Sequence, residues 1–515
     1  MKISGLTGIV AAAMMLLIAV SCAKAVTPVV EVTGGVIEGT VIEDMTVFKG
    51  IPFAAPPVGD LRWKAPQPVI PWDGIRSAAE FGNSPVQAFP GQGDEDCLYL
   101  NVWTPAKMQN EKLPVMVWIF GGGFAMGSSS QFDGAPLASK GVVLVTINYR
   151  VGTMGFFAHP ELSAENAQGV SGNYGILDQI AALKWVQDNI ASFGGDPGNV
   201  TIFGESAGGI SVSMLCASPL ASGLFHRAIS QSGGSFGHYS KTPAPGENMR
   251  LLADCEQEGL EKMQALGCAS IDEMRQLRPE QLGGGFSMAG GAWPLVDGYV
   301  IPDDQYILYE TGKYNNVDIL VGYNSDEGLS FGATKDSQQH ILSTQARYGE
   351  FAEALLEAYP LEGPTVTKPA RNLTRDAAFG WHTWKWACFQ AEQGGSNVYL
   401  YYFDQHPDYP EDSPMFGQGS PHGQDVDFVF GSLKEQTAMP TDHALSEIMM
   451  TYWTNFARTG DPNDGILPQW PEFTGEGGQV MNLSGDAPFA GPVHEEAAMK
   501  VLDEYFAWRR TADAE

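Results

Sequence analysis

A serine inside Gly-x-Ser-x-Gly is the first feature of this sequence that could carry chemistry. The pattern can place a nucleophilic hydroxyl on a sharp turn between a strand and a helix. It occurs around Ser206, Ser235 and Ser330. With 61 glycines among 515 residues, chance alone would supply about half a match. The pattern by itself therefore does not choose its serine, and the surrounding residues must do so.

The residues around Ser206 favour it over the other two serines. Ser206 closely follows the β-rich run NVTIF, and Ala207, Gly208 and Gly209 lead into GISVSMLCAS, which starts at Gly209 and can continue as a helix. Small neighbours suit a nucleophile whose backbone is strained and whose following helix packs close to the strand. No comparable helix directly follows Ser235 or Ser330, so we predict that both lie in ordinary glycine-rich turns.

A serine nucleophile also needs a histidine base, a carboxylate that orients the base, and donors for an oxyanion. The stretch WIFGGGFAMG has three glycines after a predicted strand, which lets backbone N–H groups approach a reacting carbonyl closely. We select Gly122 and Gly123 as donors. Among nine histidines, His422 is the candidate base, because it lies downstream of Ser206 on a predicted loop, between Pro and Gly.

The segments that must position these groups alternate between strand and helix. The runs PVMVWIF, GVVLVTINY and NVTIF are β-rich, and the helical stretch LDQIAALKWVQDNIASF separates the second from the third. The later runs RAISQS, VDILVGY and NVYLYYF extend the set. This order predicts an α/β fold with a mostly parallel central sheet flanked by helices, in which sites lie beyond the strand ends. No linker, charge block or repeat divides the chain, so we predict a single large domain.

Composition limits the partners of the protein. A chain that is 44% hydrophobic and 17% charged can bury a large core. Its formal net charge of −31 opposes binding to nucleic acid or to anionic lipid, since both would repel it. After the first residues, no segment approaches twenty uninterrupted apolar residues, so the sequence predicts no membrane span.

The N-terminal residues predict export. Lys2 precedes an apolar run that is short for a membrane span, which is typical of a signal peptide. Ala23-Lys24-Ala25 resembles an ordinary cleavage site, which would make residues 1–25 the signal and 26–515 the mature domain. Ala19-Val20-Ser21-Cys22 resembles a lipoprotein signal that ends before Cys22, which would then carry a lipid anchor. In either case we expect a periplasmic or secreted protein.

The six cysteines are consistent with an oxidising compartment only in part. Cys255 and Cys268 flank the helical-looking segment EQEGLEKMQALG, and we predict that they form a disulfide closing a small loop. Cys97, Cys216 and Cys388 have no obvious partners, and we expect buried free thiols. No Cys-x-x-Cys or clustered Cys and His spacing indicates a metal site.

Beyond these patterns, the chain resembles the type-B carboxylesterases, the α/β-hydrolase family that includes cholinesterases, liver-type carboxylesterases and fungal lipases. The matching blocks run in family order from about Val47 to Asn463. They are FKGIPFAAPPVGDLRW, EDCLYLNVW, WIFGGGF, GNYGILDQIAALKWVQDNIASFGGDPGNVTIFGESAGG, GYNSDEG, HGQDVDFVFG and YWTNFARTGDPN. Together they are far more specific than Gly-x-Ser-x-Gly alone.

The resemblance implies a serine carboxylic-ester hydrolase that acts through an acyl-enzyme on a small-molecule ester. It makes Ser206 the nucleophile, Glu327 the acid and His422 the base. The residues alone do not distinguish Glu327 from the adjacent Asp326, but the family match favours Glu327. Glu205, beside the nucleophile, is expected to influence the alcohol side of the site or to serve in structural hydrogen bonding.

The resemblance also assigns the oxyanion donors to the backbone N–H groups of Gly122, Gly123 and Ala207. It implies no metal and no cofactor. Two further readings stay open: a neuroligin-like interaction protein without catalysis, and an amide or lactone hydrolase that uses the same groups. The presence of the full set of reactive residues favours an enzyme.

Three departures from the family bear on the substrate and the disulfides. Val86 stands where many relatives have a cysteine that pairs with the one in EDCLYLN, so we expect Cys97 to be unpaired. The stretch that follows Val86 is short and has no tryptophan, which argues against a cholinesterase. Phe120 stands where many carboxylesterases have histidine. Some fungal lipases resemble this chain at that position. The acyl group, the alcohol group and the oligomeric state are left open.

Overall fold

The described part of the chain comprises residues 24–87, 92–240, 244, 246–283, 293–332, 336–361, 367–413, 415–485 and 487–512 of a computed structural model. Most of the predicted signal segment, with Cys22, lies outside these residues. The strands are β1 Val29–Val32, β2 Gly35–Glu38, β3 Thr40–Ile42, β4 Met45–Pro52, β5 Ile75–Ser77, β6 Tyr99–Thr104, β7 Leu113–Ile119, β8 Val143–Ile147, β9 Gly195–Glu205, β10 Arg227–Gln231, β11 Asp318–Asn324, β12 Val398–Phe403, β13 Gln479–Leu483 and β14 Phe489–Pro492.

One large sheet organises the molecule. Its strand order is β14-β13-β12-β11-β10-β9-β7-β8-β6-β4-β3, and β1, β2 and β5 form a separate small sheet. The strands from β13 to β8 are parallel to their neighbours. The pairs towards the two edges, β14 with β13 and β8 with β6, β6 with β4 and β4 with β3, are antiparallel. The prediction of a mostly parallel central sheet is confirmed.

Burial explains why the central strands are continuous apolar runs. Every residue of β8 and of β12 is buried, because helices cover both faces of a parallel sheet. The α-helices are α1 Ala135–Ala138, α2 Gly152–Phe156, α3 Pro160–Glu165, α4 Tyr174–Asn189, α5 Ala207–Ala217, α6 Leu252–Ala265, α7 Ile271–Arg275, α8 Pro279–Leu282, α9 Gln305–Glu310, α10 Ser337–Tyr348, α11 Ala352–Ala358, α12 Thr367–Arg375, α13 Trp381–Gln393, α14 Gln424–Phe430, α15 Pro440–Thr459 and α16 Glu496–Ala512.

Two features of the helices concern the site. Every residue of α5 is buried, and this helix contacts β7, β9 and β10. A π-helical turn, Asp376–Gly380, joins α12 to α13. None of the helices in the described ranges is long and apolar enough to cross a membrane.

The cysteines correct one prediction. Cys255 lies in the first turn of α6, whereas Cys268 follows that helix and donates its N–H to the carbonyl of Met263. Eight residues of helix separate Cys255 from Met263, a rise of about 12 Å, whereas a disulfide needs Cα atoms within about 7 Å. Both thiols are free, so the predicted disulfide is wrong because the helix holds its ends apart. Cys97, Cys216 and Cys388 are buried and free, as expected.

Candidate active site

Ser206 lies on a strained turn between β9 and α5. Its φ is 57° and its ψ is −126°. This backbone conformation is unfavourable in free energy for any residue other than glycine. The glycines next to it allow the helix to pack against the neighbouring strand. A Cβ on Gly208 would lie 1.9 Å from the carbonyl oxygen of Ile119, and one on Gly204 would lie 2.6 Å from the same atom. The predicted order of strand, sharp turn and helix is therefore present at Ser206.

The other two serines of the same pattern lie in different settings. Ser330 ends a short 3₁₀ turn, Glu327–Ser330, which comes three residues after β11. Ser235 lies in the loop after β10, and the next described helix begins only at Leu252. Neither serine lies between a strand and a helix that follows directly, in agreement with the prediction of glycine-rich turns.

His422 joins Ser206 to Glu327. Its Nε2 lies 2.8 Å from the Ser206 Oγ, and its Nδ1 lies 2.5 Å from the Glu327 Oε2. The other oxygen of Glu327 accepts hydrogen bonds from the Asn324 N–H at 2.8 Å and from the Ser232 hydroxyl at 2.5 Å. Glu327 is fully buried, so these contacts fix its orientation.

Asp326, the neighbour of Glu327, makes different contacts. Its Oδ1 accepts a hydrogen bond from the Arg371 Nε at 2.7 Å, and its Oδ2 accepts one from the Gly419 N–H at 3.0 Å. Both Asp326 and Arg371 are buried. Of the two carboxylates that the residues alone do not distinguish, Glu327 is the one in contact with His422. Asp326 instead ties α12 to the loop that leads to His422.

Chain topology brings these groups together. Ser206 follows the carboxyl end of β9, Glu327 follows that of β11, and His422 lies in the connection between β12 and α14. Because these strands are parallel, their carboxyl ends lie at one edge of the sheet. Residues that are 95 and 216 positions apart in the chain thus reach hydrogen-bond distance.

The loop after β7 is shaped by glycines. Gly122 has φ 106° and Gly123 has φ 60°, both in the region that favours glycine, and a Cβ on Gly122 would lie 2.3 Å from the Met126 carbonyl oxygen. Ala207 is the first residue of α5, where helix N–H groups have no partner within the helix. Within the described ranges, no acceptor bonds to the N–H groups of Gly122, Gly123 or Ala207.

Two further carboxylates lie near His422. The Oε1 of Glu205 is 3.2 Å from the His422 Nε2, and no hydrogen-bond partner from the described residues satisfies this buried oxygen. Asp425 accepts hydrogen bonds from the Gln231 amide at 2.8 Å and from the Tyr401 hydroxyl at 2.9 Å. From the sequence, the contact of Glu205 with the histidine was not apparent, because only the folded loop brings His422 over β9.

Burial and charge shift the pKa values of these groups in opposite ways. Burial lowers the pKa of His422, but the negative charges of Glu205 and Glu327 outweigh it and raise the pKa to about 9. Burial raises the pKa of Glu205 to about 7, although the His422 charge works in the other direction. Burial likewise raises the pKa of Asp425. The surroundings thus favour a positive charge on the histidine.

This arrangement has a definite chemical capacity. A histidine that contacts a serine hydroxyl through one nitrogen and a carboxylate through the other can take the hydroxyl proton while the carboxylate stabilises the imidazolium. Unpaired backbone N–H groups near such a serine can stabilise an oxyanion that develops on a substrate carbonyl. Acyl transfer to the Ser206 oxygen is the reaction class that uses all of these groups.

Comparison with known proteins agrees with this chemistry. A model of the carboxylesterase family matches residues 26–498 of the chain. A fumonisin B1 esterase from Sphingopyxis macrogoltabida is 36% identical over 480 residues, which cover 87% of this chain and 85% of that protein. Carboxylesterase 4A from Bos taurus is 35% identical over 478 residues, which cover 83% of this chain and 86% of that protein.

Solved structures give the same result. The structure of PNB esterase superposes with a TM-score of 0.78 at 30% sequence identity, covering 92% of this chain and 99% of that one. A second structure of PNB esterase matches equally well. The chain therefore belongs to the carboxylesterase family, with the α/β-hydrolase fold, and is a carboxylic ester hydrolase.

Proposed function

We propose that the protein hydrolyses small-molecule esters through an acyl-enzyme on Ser206, with His422 as base and Glu327 as the carboxylate that orients it. The observation that carries the proposal is the continuous contact from the Ser206 Oγ through the His422 ring to Glu327, at 2.8 Å and 2.5 Å. The strained backbone of Ser206 supports it, since such strain occurs at functional sites.

The first half of the reaction forms the acyl-enzyme. The Ser206 oxygen attacks the ester carbonyl carbon as its proton passes to the His422 Nε2, and the carbonyl oxygen becomes negative. The N–H groups of Gly122, Gly123 and Ala207 stabilise this oxyanion. The bond from carbon to the alcohol oxygen then breaks, and the alcohol leaves with the proton that His422 carries.

The second half returns the free enzyme. Water attacks the acyl carbon while His422 takes one water proton, and a second oxyanion forms at the same donors. The bond from carbon to the Ser206 oxygen breaks, His422 returns the proton to that oxygen, and the carboxylic acid leaves. Glu327 keeps the imidazole in the tautomer with its proton on Nδ1 throughout.

Replacement of the nucleophile tests the proposal. We expect Ser206→Ala to lower kcat/KM for a simple ester by roughly four to six powers of ten and to leave the fold intact. Ser235→Ala and Ser330→Ala are matched controls, since they alter the same sequence pattern and should retain activity. Reaction with an organophosphonate and peptide mapping gives a second measurement. A covalent label on Ser235 or Ser330 in place of Ser206 would contradict the proposal.

A panel of esters tested on the purified protein identifies the preferred substrate. Esters with short, long, aromatic and polycarboxylic acyl groups determine which acyl group the enzyme prefers. Fumonisin B1 tests whether this chain acts on the compound for which one relative is named. Matched amides and lactones tested on the same preparation determine whether the site is restricted to esters. Amide turnover above ester turnover would replace the proposed reaction with amide hydrolysis through the same groups.

A further inference from the structure

The imidazole of His422 lies between two phenylalanine rings. Phe379 is stacked against it, with ring centroids 4.6 Å apart and an interplanar angle of 28°. Phe331 is tilted by 58°, with its centroid at 5.0 Å. Phe379 is buried. Neither ring donates or accepts a conventional hydrogen bond, so their effect on His422 must come from shape and from the charge distribution of the ring.

A π-helical turn supplies the position of Phe379. The turn Asp376–Gly380 interrupts the path from α12 to α13, and such turns occur often at functional sites. It widens the helix by one residue, and Phe379, whose ring meets His422, is the fourth residue of this turn. Phe379 lies 43 positions before His422 in the chain, and the pattern of the sequence gave no sign of the contact.

Hydrogen bonds between buried groups hold the Asp376–Gly380 turn in place. The guanidinium of Arg375 donates two hydrogen bonds to Asp376, each of 2.7 Å, and both residues are buried. The Tyr359 hydroxyl donates to the same carboxylate at 2.5 Å. The Ala377 carbonyl lies 3.3 Å from the His382 Nε2. The wide turn is therefore fixed by its own contacts and presents Phe379 as part of a rigid element.

The face of an aromatic ring is negative and attracts a cation placed over it. The His422 ring is neutral when it is ready to accept the Ser206 proton, and it becomes a cation once it has taken that proton. A stacked ring therefore stabilises the proton-transfer state more than the resting state. The same contact limits rotation of the imidazole about its attachment.

We propose that Phe379 is a positioning residue for acyl transfer: its ring holds His422 in plane and stabilises the imidazolium that forms on proton transfer. The inference rests on the proposed function of Ser206 and His422. The charged groups that also face His422 are Glu205 at the end of β9, Glu327 after β11, and Asp425 of α14. All are carboxylates, so the aromatic contribution must be measured with these groups unchanged.

A series of fluorinated side chains tests this proposal without changing the shape of the site much. Mono-, di- and trifluorinated phenylalanine at position 379 progressively remove negative charge from the ring face. At a pH above the acid limb, where His422 is neutral in every variant, we expect kcat to fall stepwise with fluorination while KM is unchanged, and Phe379→Leu to lose about tenfold in kcat. The same series at position 331 is the matched control, and its tilted ring should give a smaller response.

The pH dependence gives a readout that a merely structural role would not alter. Loss of the negative ring face destabilises the imidazolium, so the pKa of His422 falls and the acid limb of the pH–rate profile moves to lower pH. NMR titration of the His422 ring measures the same shift independently of turnover. A variant that is merely misfolded would lose activity without this movement of the acid limb.

Two outcomes separate this inference from the proposed function. If the fluorinated variants still take the phosphonate label on Ser206 but kcat and the His422 pKa show no trend, the role of Phe379 is overturned and the proposed function is not. If the unmodified protein takes no label on Ser206, the proposed function itself fails. An equal trend at positions 331 and 379 would also overturn the assignment to the stacked ring.

Discussion

The carboxylates near His422 have different hydrogen-bond partners, and these partners decide their chemistry. Glu327 contacts the histidine Nδ1, and Glu205 approaches the Nε2 that also meets the Ser206 hydroxyl. Asp326 is paired with Arg371. In the proposed mechanism, Glu327 would therefore be the orienting group and Glu205 a second charge near the base, whereas Asp326 is tied to Arg371.

Replacing each of the two adjacent carboxylates by its amide tests this division. We expect Glu327→Gln to lower kcat by roughly four powers of ten, because an amide does not support the imidazolium as a carboxylate does. Asp326→Asn should cost far less activity but destabilise the fold by about 3 kcal/mol or more, because it leaves the buried Arg371 charge unpaired. Steady-state kinetics and urea unfolding measure the two effects. A larger loss of kcat in Asp326→Asn would reverse the assignment.

The charge of Glu205 affects the pH dependence of the reaction. His422 acts as a base only when neutral, and the charge of Glu205 helps to raise its pKa to about 9. Glu205→Gln removes that charge, so the pKa should fall and the acid limb of kcat/KM should move to lower pH. Glu353→Gln, at an exposed position on α11, is the control. An acid limb that stays in place in Glu205→Gln would show that this carboxylate does not set the pKa of the base.

At the scale of elements, the site depends on how closely α5 approaches β7. Gly204 and Gly208 face the carbonyl of Ile119, and the strained backbone of Ser206 persists because the strand and the helix fix both of its ends. The glycines of the loop after β7 extend the same arrangement to the predicted oxyanion donors. The spacing between these elements, and not only the identity of the serine, decides whether the hydroxyl reaches His422.

A methyl group between these two elements should separate them. In Gly208→Ala the new Cβ would lie 1.9 Å from the Ile119 carbonyl oxygen, and its nearest neighbours are all backbone atoms of Ile119 and Phe120, which leave little room for relief. We expect a loss of about 1–3 kcal/mol or more in the free energy of unfolding, together with a marked loss of kcat. Gly198→Ala is the control on β9, since its nearest neighbour is a side-chain oxygen of Asp196 at 3.2 Å. Wild-type stability and activity in Gly208→Ala would contradict this account of the turn.

At the scale of the whole molecule, backbone hydrogen bonds join the first described residues to the segment between β6 and β7. The Val26 N–H donates to the Lys107 carbonyl at 2.8 Å, and the Gln109 N–H donates to the Lys24 carbonyl at 2.9 Å. Processing just before Val26 would remove the second of these bonds. Processing before Cys22 would leave both intact.

Export remains a prediction, and the mature N-terminus tests it. We expect the mature chain to begin at Cys22 with attached acyl groups or at Val26 without them. In the first case lipid alone would hold the protein at a membrane, because its negative charge is repelled by anionic headgroups. Intact-mass measurement of the protein purified from a host that processes export signals distinguishes the Cys22 start from the Val26 start. An active cytosolic protein that retains Met1 would refute export.

What the sequence alone determined is local in origin. The apolar runs predicted β7 to β12 because strands buried on both faces need continuous apolar residues, and their observed bounds differ from the runs mainly at the ends. The turn at Ser206 was predictable because its glycines are required within a few residues of the serine. The position of His422 on a predicted loop downstream of Ser206 made it the candidate base, and the family blocks added support for it and the choice of Glu327 over Asp326, which strand and helix patterns do not supply.

Only the tertiary structure decided which distant groups meet. Glu327 and Asp326 are adjacent in the chain, and the geometry of the turn after β11 directs one to His422 and the other to Arg371. The length of α6 separates Cys255 from Cys268, where the sequence had predicted a disulfide. The stacking of Phe379 on His422 depends on a π-helical turn fixed by buried contacts. Such contacts join residues far apart in the chain, and packing, not local preference, selects them.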